Sequence, residues 1–171
     1  MEEIKNIKQV SEYLGIPEDE ILDYHRYSNG DWCFIKKGIF YHLFRKIDGK
    51  YIELTKGIKA KWIFSSQNGD WEYEDEEGYW HLFRFIDGNQ IELTKNIKAK
   101  RGVSFFNGDW SYYDEKKYWH LFREINGKWI ELTKNVKAKI ANSRLNGDWE
   151  YKDENYNYHK FNKNNELISK K

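Results

Sequence analysis

His42, His81, His120 and His159 stand 39 residues apart, and imidazoles in a regular series are the first feature of this chain that could do chemistry, either as metal ligands or as proton carriers. A metal site usually draws its ligands together through spacings of about two to five residues. Equivalent places in a stacked repeat are instead translated apart, and only a closed ring with all four side chains aimed inward would make them converge. The spacing therefore predicts histidines that hydrogen-bond to Thr55, Thr94 and Thr133, and no metal. Glu53, Glu92 and Glu131 accompany Arg45, Arg84 and Arg123 with the same period. Strand register sends the two series to opposite faces, so each Arg is expected to pair between repeats or to lie along a Trp ring. A catalytic set present three times would also mean several active sites in one small chain. No nucleophile elbow, phosphate-binding glycine loop or His-Glu-x-x-His segment occurs, so the expectation is no enzyme, no catalytic residue and no cofactor. Cys33 is the sole cysteine and cannot form an internal disulfide; it replaces Glu72, Ser111 and Glu150 of the other copies.

Two other series could recognise a partner. Ile-Lys-Ala-Lys recurs at Ile58 to Lys61 and Ile97 to Lys100, and as Val-Lys-Ala-Lys at Val136 to Lys139. Both lysines of each copy fall on one strand face, so Lys59, Lys61, Lys98, Lys100, Lys137 and Lys139, joined by Arg101, form a basic stripe. Such lysines guard exposed strands against edge pairing, and they can equally meet phosphates or an acidic protein. Glu72, Glu74, Asp75, Glu76 and Glu77 form an acidic cluster that could neutralise the stripe. Phe83, Phe122, Tyr51 and Trp129 offer rings that would stack sugars or bases if exposed and would be core if the sheet is covered on both faces.

The elements that must carry these residues follow from the period. Asn-Gly-Asp-Trp is written at Asn29, Asn68, Asn107 and Asn146, and residues 68–106 match 107–145 at 25 of 39 positions without a gap. A fixed period in this range marks a repeat architecture. Asn-Gly between β-prone runs signals a hairpin with a two-residue type I′ turn, and Asp48-Gly49, Asp87-Gly88 and Asn126-Gly127 supply a second one midway through each repeat. With one further bend between them, each repeat holds four short strands. Around Asp87-Gly88, Ile86 should pair with Asn89 and Arg84 with Ile91, which places Trp80, Leu82, Arg84 and Ile91 on one face and His81, Phe83 and Glu92 on the other. A type I′ turn at Asn68-Gly69 puts Phe64 on the face of Trp71 and Tyr73; the same turn at Asn107-Gly108 puts Phe105 and Val103 with Trp110 and Tyr112. The Trp faces are assigned to the core. Ile4, Ile7, Val10 and Leu14 recur at helical spacing, Gly15 ends that pattern and Pro17 opens a second short helix. Residues 1–22 thus read as a helical cap on the first repeat's edge, with units at about 23–57, 58–96, 97–135 and 136–171. A DNA-binding helix-turn-helix is disfavoured there, since Lys5 and Lys8 are its only cations.

Composition agrees with an all-β repeat domain whose core is aromatic. Aromatic residues are 18% of 171, mean hydropathy is −0.97, and 29 basic residues nearly cancel 28 acidic ones. A whole-molecule field for nucleic acid or membrane is therefore missing, and any charge argument is local. The first residues lack an apolar core segment of an export signal, and no stretch is long and apolar enough to span a bilayer, so a cytoplasmic location is expected.

Asn68 to Gly78, read as Asn-Gly-x-Trp-x-Tyr-x-Asp-x-x-Gly, resembles the Trp-Gly repeat family of bacterial β-repeat proteins with a period near 40. Those repeats carry Gly after the Trp, where this chain has Cys33, Glu72, Ser111 and Glu150, and Gly78 gives way to Lys117 and Tyr156 in later copies. The resemblance implies a binding scaffold without catalytic residues. The sequence as a whole predicts an antiparallel β-meander, open or propeller-like, that recognises a protein partner, as an inhibitor or immunity protein of bacterial or phage origin would. Nucleic-acid or carbohydrate binding through the lysines and exposed aromatics is the alternative.

Overall fold

Asp48 and Gly49, Asp87 and Gly88, and Asn126 and Gly127 all hold positive φ, at 50 and 79°, 50 and 76°, and 53 and 73°. Two consecutive left-handed residues make the type I′ turn whose twist matches antiparallel strands. In the computed structural model, which describes residues 3–134 and 136–170, each of these turns joins the third and fourth strands of a repeat. The chain is all-β, built of four tandem antiparallel repeats after one N-terminal helix. It divides into two units, residues 1–78 and 79–171. The first contains α1 (Ile7–Leu14), β1 (Ile21–Arg26), β2 (Trp32–Lys36), β3 (Phe40–Ile47), β4 (Lys50–Glu53), the short β5 (Ile58–Lys59), β6 (Trp62–Ser65) and β7 (Trp71–Glu74). The second contains β8 (Trp80–Ile86), β9 (Asn89–Glu92), β10 (Arg101–Ser104), β11 (Trp110–Tyr113), β12 (Trp119–Ile125), β13 (Lys128–Glu131), β14 (Ile140–Ser143), β15 (Trp149–Lys152), β16 (Tyr158–Phe161) and β17 (Leu167–Lys170). Strands pair with their sequence neighbours in β1–β4, β10–β13 and β14–β17, so each repeat makes its own meander. Ile86 pairs with Asn89 and Arg84 with Ile91, as the turn chemistry requires.

The Asn-Gly turns differ from expectation. Only their glycines are left-handed, at 90, 87, 90 and 85° for Gly30, Gly69, Gly108 and Gly147. The Gly30 N–H donates to the Tyr27 carbonyl at 3.0 Å and the Tyr27 N–H to the Asp31 carbonyl at 2.8 Å. This is a three-residue loop, a type I turn closed by a left-handed glycine. One extra loop residue flips the preceding strand to its other face. Ser65 and Ile63 therefore oppose Trp71 and Tyr73, and Phe64 stands across from Glu72. In the third repeat Gly102 opposes Tyr112 and Val103 opposes Ser111, so Phe64 and Val103 point outward and are exposed.

The inward place left to Gly102 has a use. A Cβ there would lie 2.0 Å from the Trp80 ring, so the missing side chain admits the indole. Trp80 and Leu82, one face of β8, pack with Trp110, Tyr112, Phe122 and Trp129 of the next repeat around buried Ala99. Leu121 and Trp119 meet Trp149, Tyr151 and Phe161 in the same way around Ala138 and Ala141. Successive sheets of the second unit are thus stacked face on face, and Trp110 lies parallel to Phe122 with centroids 4.4 Å apart. At the array's beginning α1 takes the place of a preceding sheet. Asn6 caps it, accepting from the Gln9 N–H at 3.0 Å, and Gly15 ends it at φ 68°. Val10 and Ile4 are buried with Trp32, Phe34 and Phe44, so the helix covers a sheet face rather than the edge expected of it. Among the described residues no helix is long and apolar enough to cross a membrane.

Candidate binding surface

Asp31, third residue of the first Asn-Gly-Asp-Trp, is buried because the fold brings it three kinds of donor. Asn29 donates through Nδ2 to the Asp31 carboxylate at 3.2 Å, while its Oδ1 accepts from the Asp31 N–H at 3.0 Å, which orients the turn. Arg45 on β3 donates through Nε at 3.0 Å and through Nη2 at 2.6 Å to the carboxylate. Ser65 Oγ, from the following repeat, donates at 2.6 Å and itself accepts from Asn29 Nδ2 at 2.8 Å. The same set recurs as Asn107, Asp109, Arg123 and Ser143, with Arg123 Nη2 at 2.6 Å from Asp109 and Asn107 Nδ2 at 2.7 Å from Ser143 Oγ. Arg45 and Arg123 therefore form their ion pairs within their own repeat, and the bonds between repeats come from the serine and from Arg123 Nη1, which donates to the Lys163 carbonyl at 3.3 Å. Arg84 donates to the Gly108 carbonyl at 2.7 Å and lies over the Trp129 ring at 5.1 Å. In the fourth copy Asn162 stands where the others have Arg, and Asp148 accepts the Lys163 N–H at 3.1 Å. Open clefts border the turns: one of about 500 Å³ around Asn29, Arg45, Lys46 and Asn68, and one of about 450 Å³ around Asn107, Arg123, Asn146 and Lys163.

The histidines find different partners from those expected. His42, His81 and His120 place Nδ1 at 2.7, 2.9 and 2.7 Å from Glu53, Glu92 and Glu131. The threonines instead use Oγ1 to accept the N–H of Leu43, Leu82 and Leu121, at 2.9, 3.0 and 3.0 Å. Among the described residues no group of His, Cys, Asp and Glu is arranged to hold a metal ion. His120 meets two carboxylates. Its Nε2 also reaches Asp114 at 3.3 Å, and its ring stacks on Tyr112 at 4.6 Å. The hydrogen bond that its Nδ1 donates to Glu131 raises its pKa above the ordinary histidine value, against burial and with help from Asp114. A raised histidine pKa adds stability that is full below the unfolded value and fades as pH rises through the folded one. We expect the melting-temperature gap between the parent and His120→Gln to be widest near pH 6 and to shrink on raising the pH toward 8; a gap that is constant with pH would refute the shift. Asp153, hydrogen-bonded first by His159 at 2.9 Å and then by the backbone of Asn157 and Asn155, is held at about 2.

The basic series is brought together copy by copy. Lys98 and Lys100 bracket the Tyr79 ring, at 5.7 and 3.9 Å from its centroid, and Lys137 and Lys139 bracket Tyr118, at 5.6 and 4.6 Å. The phenols donate onward to acids, Tyr79 to Glu115 at 3.1 Å and Tyr118 to Glu154 at 2.7 Å. Lys137 pairs with Glu154 at 3.4 Å, Lys61 with Glu74 at 2.9 Å, and Lys59 lies over Phe40 at 5.5 Å. Arg101 is exposed at the start of β10, across from Tyr113. Of the proposed aromatic face, Phe122 and Trp129 pack against the core, Tyr51 meets Trp32 edge-on at 5.5 Å, and Phe83 is half-buried. The apolar groups left open are others, with Phe106 and Leu145 at the turn tips 64 and 77% exposed.

No family model matches this chain, and no curated protein sequence does. Among solved structures it is similar to a Bacteroides uniformis protein proposed to be a 6-phosphogluconolactonase, at 12% identity and a TM-score of 0.40. That alignment covers 88% of this chain and 53% of the other, so the chain spans about half the length of that structure.

Proposed function

We propose that the protein is a non-enzymatic module that recognises a protein partner through its repeated edge. One observation carries this reading: in both Lys-Tyr-Lys brackets the phenol is tied to a glutamate, so each cation pair sits beside an anion. A phosphate backbone would be met by cations and repelled by Glu115 and Glu154 alike. A protein surface of mixed charge matches such a mosaic, and exposed apolar tips such as Phe106 and Leu145 supply anchors of the kind that carry interface energy.

The nucleic-acid alternative predicts the opposite of the result expected here. Labelled single- or double-stranded oligonucleotides should give no sub-micromolar anisotropy change at about 0.15 M salt, where screening acts over roughly 8 Å. Lys59, Lys98 and Lys137 changed together to Gln should slow association with the captured protein partner. A tight, lysine-dependent oligonucleotide signal would overturn the reading.

A further inference from the structure

At the outer side of the first two repeats lies a pocket of about 280 Å³ that none of the repeated motifs accounts for. It is lined by Asp23, His25, Tyr27, Cys33, Tyr41, Trp62 and Phe64, with Tyr24, Ile35 and Ile63. Three rings run in a row: Tyr27 meets His25 edge-on at 4.6 Å and Phe64 edge-on at 5.6 Å. Residues of this pocket are where the first repeat departs from its siblings. Cys33 replaces an acid or serine, and Tyr41 stands where the next two copies have Trp80 and Trp119. In the second unit Trp80 closes on Gly102, whose counterpart here is the larger Ile63.

Three of the pocket's hydrogen-bond donors are spent. Tyr27 Oη donates to the Ile63 carbonyl at 2.8 Å, Tyr41 Oη to the Lys61 carbonyl at 3.1 Å, and Trp62 Nε1 to Glu74 at 2.9 Å. An anion would find no cation in the lining, and a sugar would find few free donors. What remains is π surface, the His25 imidazole and one carboxylate, Asp23, the lining's single formal charge with His neutral. Burial holds the Cys33 thiol and the Tyr41 phenol above their ordinary values, with the Asp23 charge a lesser contributor at both and the Tyr27 hydrogen bond acting the other way at Cys33. Electron-rich ring faces around a small cavity with an anion at the rim are suited to an organic cation.

We propose that this pocket binds an organic ammonium group, seated against Tyr27 and Phe64 with Asp23 as counter-charge. The group can arrive as a free quaternary ammonium ion or as the head of a lysine side chain. The inference does not depend on the protein-partner reading.

The test is a two-dimensional amide NMR titration of the full chain with tetramethylammonium chloride, and in parallel with tert-butanol as its neutral isostere. Saturable shifts centred on His25, Tyr27 and Phe64 are expected with the cation and not with the alcohol. Phe64→Ala and Asp23→Asn, both at exposed positions, should each weaken binding about five-fold, which corresponds to about 1 kcal/mol of lost attraction. Blocked lysine, with and without trimethylation, then separates the two sources by which of the three cations binds tightest. Equal binding of tert-butanol, absence of saturable shifts up to the solubility limit, or affinity unchanged by both substitutions would each overturn the proposal. Far-ultraviolet circular dichroism of the variants guards against misfolding as the cause of a loss.

Discussion

Trp110→Ala should lower unfolding free energy by about 3 to 5 kcal/mol, the range for removing a large buried aromatic. Trp110 is 2% exposed, stacks on Phe122 at 4.4 Å and meets Trp129 edge-on at 6.0 Å. It also sits between two sheets, since it packs with Trp80 and Leu82 of the preceding repeat, so the cavity opens an interface rather than one sheet. A control isolates the cause. The Trp110 Nε1 is buried and makes no hydrogen bond, hence Trp110→Phe should keep most of the stability, because packing is all that the indole supplies. Urea unfolding followed by circular dichroism reads both values; a loss under about 1 kcal/mol for the alanine variant would contradict the core assignment.

Asp109→Ala should be comparably costly, about 3 to 5 kcal/mol, for an electrostatic reason. It leaves the Arg123 guanidinium, whose side chain is 12% exposed, without the carboxylate that accepts from its Nε and Nη2. Breaking one side of a buried pair strands the other charge. Ser143 Oγ loses its carboxylate acceptor at the same time, and Asn107 Nδ2 loses one of its two. Adding Arg123→Met removes the stranded charge and should recover part of the loss. If the double variant is no more stable than Asp109→Ala, the pair is not the source.

Much of this architecture was legible in the residues, and the errors have physical causes. Asp87-Gly88 sets its register because both residues turn left-handed and leave no choice of loop length. Asn68-Gly69 does not, because Asn-Gly suits a two-residue type I′ turn and also the end of a three-residue type I loop. The Asp that follows is the clue to the second, since Asn side chains accept its N–H and the Arg fourteen positions later needs a buried acid. That coupling was visible, for Asp31, Asp70 and Asp109 recur with Arg45, Arg84 and Arg123. Counting places His81 opposite Thr94, yet the longer Glu92 side chain reaches Nδ1 while Thr94 satisfies a backbone amide. The ammonium pocket left no periodic trace, because it is made by the departures of one copy from the others.

The bond from Ser65 to Asp31, and from Ser143 to Asp109, is asymmetric: one repeat offers the acceptor and the next the donor. Such a contact is heterologous, like that of a head-to-tail polymer, and has no built-in stopping point. A sheet held this way is adhesive in two unlike ways, as acceptor on one side and donor on the other, and a further 39-residue copy carrying the same Asp and Ser would find the same contact on offer. Length in this design is a variable independent of fold, and a fragment cut between copies would expose one half of a latch that another molecule's complementary half could fill.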